Sequence, residues 1–171
     1  MKNVWKPLLL ASTLMLFLAG CNAPVDEQIE KGLMNAENSF TSEAKETTDE
    51  VGDIQVYMPR GYTIERGSVD MNYVVTKGDD QYILFVNTIE QEDSQLHYDN
   101  LMAKQGDKII QEQTYMNDGV FGFTAVVEHA ENQFELVVSN GGMKMTTMSA
   151  DKKIDQKLQA MMEIVRSVKV K

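Results

Sequence analysis

The sequence predicts an α+β fold, an antiparallel β-sheet sandwiched with two helices, and three observations predict it. From Asp53 onward, apolar residues recur at every second position in short runs separated by Gly-, Asn- and Asp-containing turns. Two stretches, Ser94 to Gln105 and the C-terminal run from Ile154, switch to helical spacing. Most strands follow one another directly, the pattern of an antiparallel sheet and not of alternating β-α-β units.

At the N-terminus, Lys2 and Lys6 precede an apolar run from Leu8 to Leu18. Its 11 residues suit the hydrophobic region of a signal peptide and fall short of the ~20 needed to span a bilayer. The run ends in Leu18-Ala19-Gly20-Cys21, which resembles a bacterial lipobox: small residues fit a narrow protease site, and Cys21 is the one thiol in the chain. The resemblance implies that residues 1–20 are removed and that Cys21 becomes an acylated N-terminus. Two or more acyl chains, at roughly 0.8 kcal/mol per buried CH₂, hold a protein on a membrane. The other reading is an ordinary secretory signal with a chance cysteine.

Residues 21–52 form the most acidic stretch and are expected to act as a tether that self-repulsion keeps extended. Within it Val25, Ile29, Leu33, Ala36 and Phe40 recur at helical spacing, so a helix over 25–40 is expected, either solvated or docked on the domain. Gly32 and several Asn and Ser residues weaken it, which favours the solvated form.

The folded domain is expected over 53–171. Ile54 to Met58 alternates and stops at Pro59-Arg60-Gly61, a turn signal, after which Tyr62 to Glu65 resumes. Val69 to Thr76 leads through Gly78-Asp79-Asp80 into Tyr82 to Val86, apolar on both faces and expected to be a central, covered strand. The helix over 94–105 should bury Leu96, Leu101 and Met102 and stop at Gly106. Strands then alternate with turns at Asn117-Asp118-Gly119, Ala130 to Asn132 and Asn140-Gly141-Gly142. Phe121, Phe123, Ala125 and Val127 share one face of a strand, as do Phe134, Leu136 and Val138 of the next. Ile154, Leu158, Met161, Val165 and Val168 give the clearest helical stripe in the chain.

Val56-Tyr57-Met58-Pro59-Arg60-Gly61-Tyr62 resembles the opening strand and Pro-x-Gly-aromatic turn of PsbP-like proteins, and Ile164-Val165-Arg166-Ser167-Val168-Lys169 resembles their closing helix. The resemblance implies an α/β/α sandwich used for binding and assembly, and it assigns no functional residue.

Composition narrows the partners. The chain carries 16 basic and 26 acidic residues; without Lys2 and Lys6 the mature balance is 14 against 26, a net of −12. That charge repels nucleic acid, and it argues against an anionic lipid surface as the main partner. Acylation of Cys21 would leave no thiol for a disulfide, a thiolate–metal bond or nucleophilic catalysis.

Motifs for catalysis are sparse in the sequence: there is no Gly-x-Ser-x-Gly, His-Glu-x-x-His or phosphate loop. His97 and His129 lack a second ligand at helical or turn spacing and are expected at the surface or its boundary. Met143, Met145 and Met148 place three thioethers in six residues, a soft donor set suited to Cu(I). In a regular strand, however, Met148 points away from the other two, and methionine is a ready core filler.

The expectation is therefore a membrane-anchored, extracytoplasmic lipoprotein without a cofactor or catalytic residues, serving as a binding or assembly module for an envelope protein. Its candidate surface is Pro59, Arg60, Gly61 and Tyr62 with the exposed sides of strands 119–128 and 134–140. The alternative is a small-molecule or copper-binding lipoprotein that uses the sheet cavity or the methionine cluster.

Overall fold

The computed structural model describes residues 23–150 and 152–171, so the lipobox and the signal peptide lie outside the described residues. Helix α1 (Val25–Thr41) leads into β1 (Asp49–Val51), β2 (Ile54–Val56), β3 (Thr63–Arg66), β4 (Asn72–Lys77) and β5 (Asp80–Val86). Helix α2 (Leu96–Gln105) and a 3₁₀ turn, Gly106–Lys108, follow. The chain continues with β6 (Ile109–Asn117), β7 (Val120–Ala130), β8 (Gln133–Asn140), β9 (Met143–Ala150), α3 (Ile154–Ser167) and β10 (Lys169–Val170).

Among the described residues, seven strands form one antiparallel sheet in the order β3-β4-β5-β9-β8-β7-β6. Two meanders, β3 to β5 and β6 to β9, meet where β5 pairs with β9. Turn chemistry sets the hairpins. Asp118 and Gly119 both have positive φ, at 51° and 82°, the signature of a type I′ turn whose twist matches the strands it joins.

A smaller antiparallel sheet, β1-β2-β10, ties the start of the domain to its end. The Lys171 backbone N–H donates to Asp53 O at 3.0 Å, and the Tyr57 N–H donates to Ser167 Oγ at 2.8 Å. Part of the stretch expected to be linker is thus a strand.

The expected two-helix sandwich becomes a three-helix one among the described residues. Helices α1 and α3 cover one face of the large sheet, and α2 covers part of the other. The first core joins Ile29, Leu33, Ala36 and Phe40 of α1 and Leu158, Met161, Met162 and Val165 of α3 to sheet residues such as Val75, Leu84, Leu136, Val138 and Met145. The second packs Leu101 on Phe121, Phe123, Ala125, Val127 and Val137.

Helix α1 is docked, which corrects the solvated-tether expectation. Its apolar stripe is buried from Ile29 to Phe40, with Val25 partly covered, and Gly32 promotes that contact: a Cβ there would stand 2.8 Å from Leu158 Cδ1 and 3.2 Å from Asp155 Cα. The residue that lowers helix propensity allows the two backbones to approach. At the other end of α1, the Arg166 guanidinium donates to the carbonyls of Phe40 and Ser42 and lies over the Phe40 ring, 5.3 Å from its centroid. One side chain of α3 thereby takes up free carbonyls at the end of α1.

Two smaller corrections concern β5 and α2. Strand β5 is covered on the α1/α3 face, but Ile83 on the other is 43% exposed because α2 does not extend over it. In α2, Leu101 is buried while Leu96 and Met102 are exposed, and His97 takes an inward position.

Candidate functional site

Pro59, Arg60, Gly61 and Tyr62 form a tight turn between the two sheets. The Tyr62 N–H donates to Pro59 O at 3.0 Å, and Gly61 has φ +85°, the left-handed conformation that a type II turn requires at its third position. Arg60 is exposed, whereas the Tyr62 ring turns inward against Tyr82, with centroids 5.7 Å apart.

Around this pair the fold gathers residues distant in sequence. Lys77, at the end of β4, holds its Nζ 4.5 Å from the centroid of the Tyr62 ring. Lys157, from the first turn of α3, donates to Asp80 Oδ1 at 2.8 Å and is largely covered. Lys153 precedes α3 with φ +59° and contributes no side-chain cap to the helix. Together with Gly78 and Gln156 they line a recess of ≈ 270 Å³.

Tyr82 forms its inner wall. The residue is fully buried, and its hydroxyl has no hydrogen-bond partner among the described residues. Burial, followed by the neighbouring Tyr62 phenol, pushes the Tyr82 hydroxyl well above the ordinary range, so it is a neutral O–H donor at every physiological pH.

A second recess of ≈ 200 Å³ adjoins the first and shares Lys153 and Gln156 with it. Its other lining includes Ala23, Lys31 and Asp155. Lys31 pairs with Asp155 at 2.9 Å, a hydrogen bond that raises the lysine pKa. Gln28 joins the entry of the chain to α3: its Nε2 donates to Ala23 O at 2.7 Å, and its Oε1 accepts from the Ile154 N–H at 3.3 Å.

The remaining candidate residues do not converge. Strand β7 is buried at every position from Phe121 to Val127, and β8 is buried at Phe134 and from Leu136 to Ser139. The two strands expected to present exposed sides lie between α2 and the α1/α3 layer. Met145 is core, Met143 is half-buried on the same face, and Met148 is 47% exposed on the opposite one. The β8–β9 pairing is regular through this segment, so no bulge brings the three sulfurs together.

His97 is buried, contrary to the surface expectation. Its Nε2 lies 3.1 Å from Gly142 O, its ring meets Phe85 edge-on, and burial lowers its pKa. His129 is exposed at a register shift of β7. No group of three or more His, Cys, Asp or Glu side chains that could hold a metal ion occurs among the described residues.

Sequence reasoning reached Tyr62 but missed Lys77, Lys153, Lys157 and Tyr82. The available signal was slight: Lys77 and Lys153 each stand at the boundary of an element, where a side chain is free to lean over a neighbouring turn.

No family model and no curated protein matches the chain. Among solved structures it is similar to the solution structure of cyanobacterial PsbP (CyanoP) from Synechocystis sp. PCC 6803, with 11% identity, a TM-score of 0.41, and coverage of 70% of this chain and 87% of that one.

Proposed function

We propose that the chain is an extracytoplasmic lipoprotein held on the cell membrane by acylated Cys21, with a non-enzymatic domain that serves as a binding or assembly module for an envelope protein. The observation that carries this reading is the lipobox itself, an 11-residue apolar run ending in Leu18-Ala19-Gly20-Cys21 behind two lysines. The position of Ala23 adds support. It lies against the domain only two residues after Cys21, so an acylated cysteine would hold the folded body itself, and no helix among the described residues is long and apolar enough to cross a membrane.

The test is metabolic labelling with an alkyne fatty acid, followed by mass spectrometry of the N-terminal peptide. The wild type should carry label on a chain that begins at Cys21, and Cys21→Ala should be unlabelled and retain residues 1–20. A wild type that is cleaved but unlabelled, and soluble, overturns the reading. Photo-crosslinking from the exposed Arg60 in cells then tests the partner: one discrete protein adduct supports assembly, and its absence favours a small ligand.

That second reading has its own support in the Tyr62 recess, a half-open hollow lined by three lysines and by a hydroxyl with no hydrogen-bond partner among the described residues. The copper alternative has none, because its thioethers diverge.

A further inference from the structure

Three lysines converge in a chain with a net charge of −10. Among the described residues Asp80 is the one carboxylate of that lining, and its charge is already engaged by Lys157 at 2.8 Å. The N-terminal end of α3, whose first-turn amides carry the positive end of the helix dipole, lies beside them; Gln28 Oε1 takes the Ile154 N–H, Asp155 of the same turn is paired with Lys31, and Lys153 supplies no cap of its own. Tyr82 adds a buried O–H that neighbours the Tyr62 phenol but makes no hydrogen bond of normal length among the described residues, a group that costs stability unless a ligand supplies an acceptor. Ammonium groups, an idle phenol and a helix N-terminus are all donors, and together they call for a compact anion with several acceptor oxygens.

We propose that the Tyr62–Tyr82 recess binds a phosphate group, with Lys77 and Lys153 supplying the charge and Tyr82 Oη donating a hydrogen bond. Two sources share this chemistry, a phospholipid headgroup and a free phosphate. Position favours the headgroup. Lys153 and Gln156 border both this recess and the one containing Ala23, and the two residues from Cys21 to Ala23 span at most ~7 Å. The headgroup assignment rests on the acylation of Cys21; the phosphate assignment does not. The net charge that argues against an anionic surface is an average, whereas a lysine cluster acts within a Debye length of about 8–10 Å.

The experiment is thermal denaturation of the intact chain in a neutral detergent, titrated with inorganic phosphate in one arm and with short-chain phosphatidylglycerol in the other. A ligand that binds only the native state raises the melting temperature by mass action. Both ligands should raise it, phosphatidylglycerol at the lower concentration. Lys77→Gln and Lys153→Gln should each raise the half-saturating concentration roughly tenfold, while the exposed Lys45→Gln should leave it unchanged.

Tyr82→Phe separates binding from folding, because it deletes only the idle hydroxyl. The unliganded variant should melt at or above the wild-type temperature yet respond less to either ligand. No shift with either ligand, or shifts untouched by all three recess variants, overturns the proposal. A phosphate response equal to that of phosphatidylglycerol refutes the headgroup source and retains the phosphate site. Since every arm uses detergent-solubilised protein, its outcome is independent of the labelling result at Cys21.

Discussion

Gly122 stands where β7 passes beneath the ring of Phe40, and a methyl group has no space there. A Cβ would lie 2.4 Å from Phe40 Cε2 and 2.7 Å from Ser139 O, so the ring and a neighbouring strand would both have to move. Overpacking of this kind costs about 1–3 kcal/mol. Gly122→Ala should therefore lower the melting temperature by about 2–4 °C for each kcal/mol lost, measured by circular dichroism. His97 adds a pH dependence of known sign. Burial lowers its pKa below 6.5, with Lys144 reinforcing the shift and the Gly142 carbonyl and Glu90 opposing it. Below pH 6.5 the unfolded chain takes up the proton more readily than the folded one, so stability is full above that value and falls as the pH drops through it. Urea midpoints of wild type and His97→Gln, measured from pH 7.5 to 5, should diverge on the acid side; parallel profiles would refute the assignment.

At the scale of elements, α1 decides what kind of N-terminal segment the protein has. Leu33 is buried between α3 and the sheet, so Leu33→Ala should cost about 2–5 kcal/mol, whereas the exposed Glu30→Ala should stay within about 0.5 kcal/mol. A solvated helix would make the two variants indistinguishable by urea denaturation. The stripe of α1 is visible in the sequence because its period is local, and so are the turns at Asp118-Gly119 and Gly141-Gly142, whose residue types carry their own conformational preference. The docking is not visible, because it depends on α3, more than a hundred residues later, and on Gly32, which reads as a defect until Leu158 and Asp155 stand against it. The same separation hides the recess. Tyr62 belongs to a local turn motif, but Lys77, Lys153, Lys157 and Tyr82 meet only once β4, β5 and α3 are packed. Strand β7 shows the converse limit: alternation marks Phe121 and Phe123 as one face, but it cannot say that α2 covers that face while α1 and α3 cover the other.

For the whole molecule, docking of α1 changes how far the domain stands from the membrane to which we propose Cys21 attaches it. An extended acidic tether over residues 22–52 could place the domain as much as roughly 100 Å from the headgroups at about 3.4 Å per residue. With the helix docked from Val25 and the Ala23 carbonyl already held by Gln28, only the stretch from Cys21 to Ala23 remains as spacer, a reach of about 7 Å. The pole that such a spacer presents to the bilayer is the one where Lys31, Lys153 and Lys157 cluster around the start of α3. The acidic remainder of the surface, repelled by an anionic leaflet, favours the same orientation. Neutron reflectometry on the intact lipoprotein in a supported bilayer containing phosphatidylglycerol should therefore find protein density beginning at the headgroups, in a layer one domain thick. Raising the ionic strength should loosen the orientation without lengthening the spacer, so the layer should broaden by no more than that short reach. A solvent-filled gap of several tens of ångströms between headgroups and protein would mean that α1 leaves α3 on the membrane and that residues 22–52 act as a tether there.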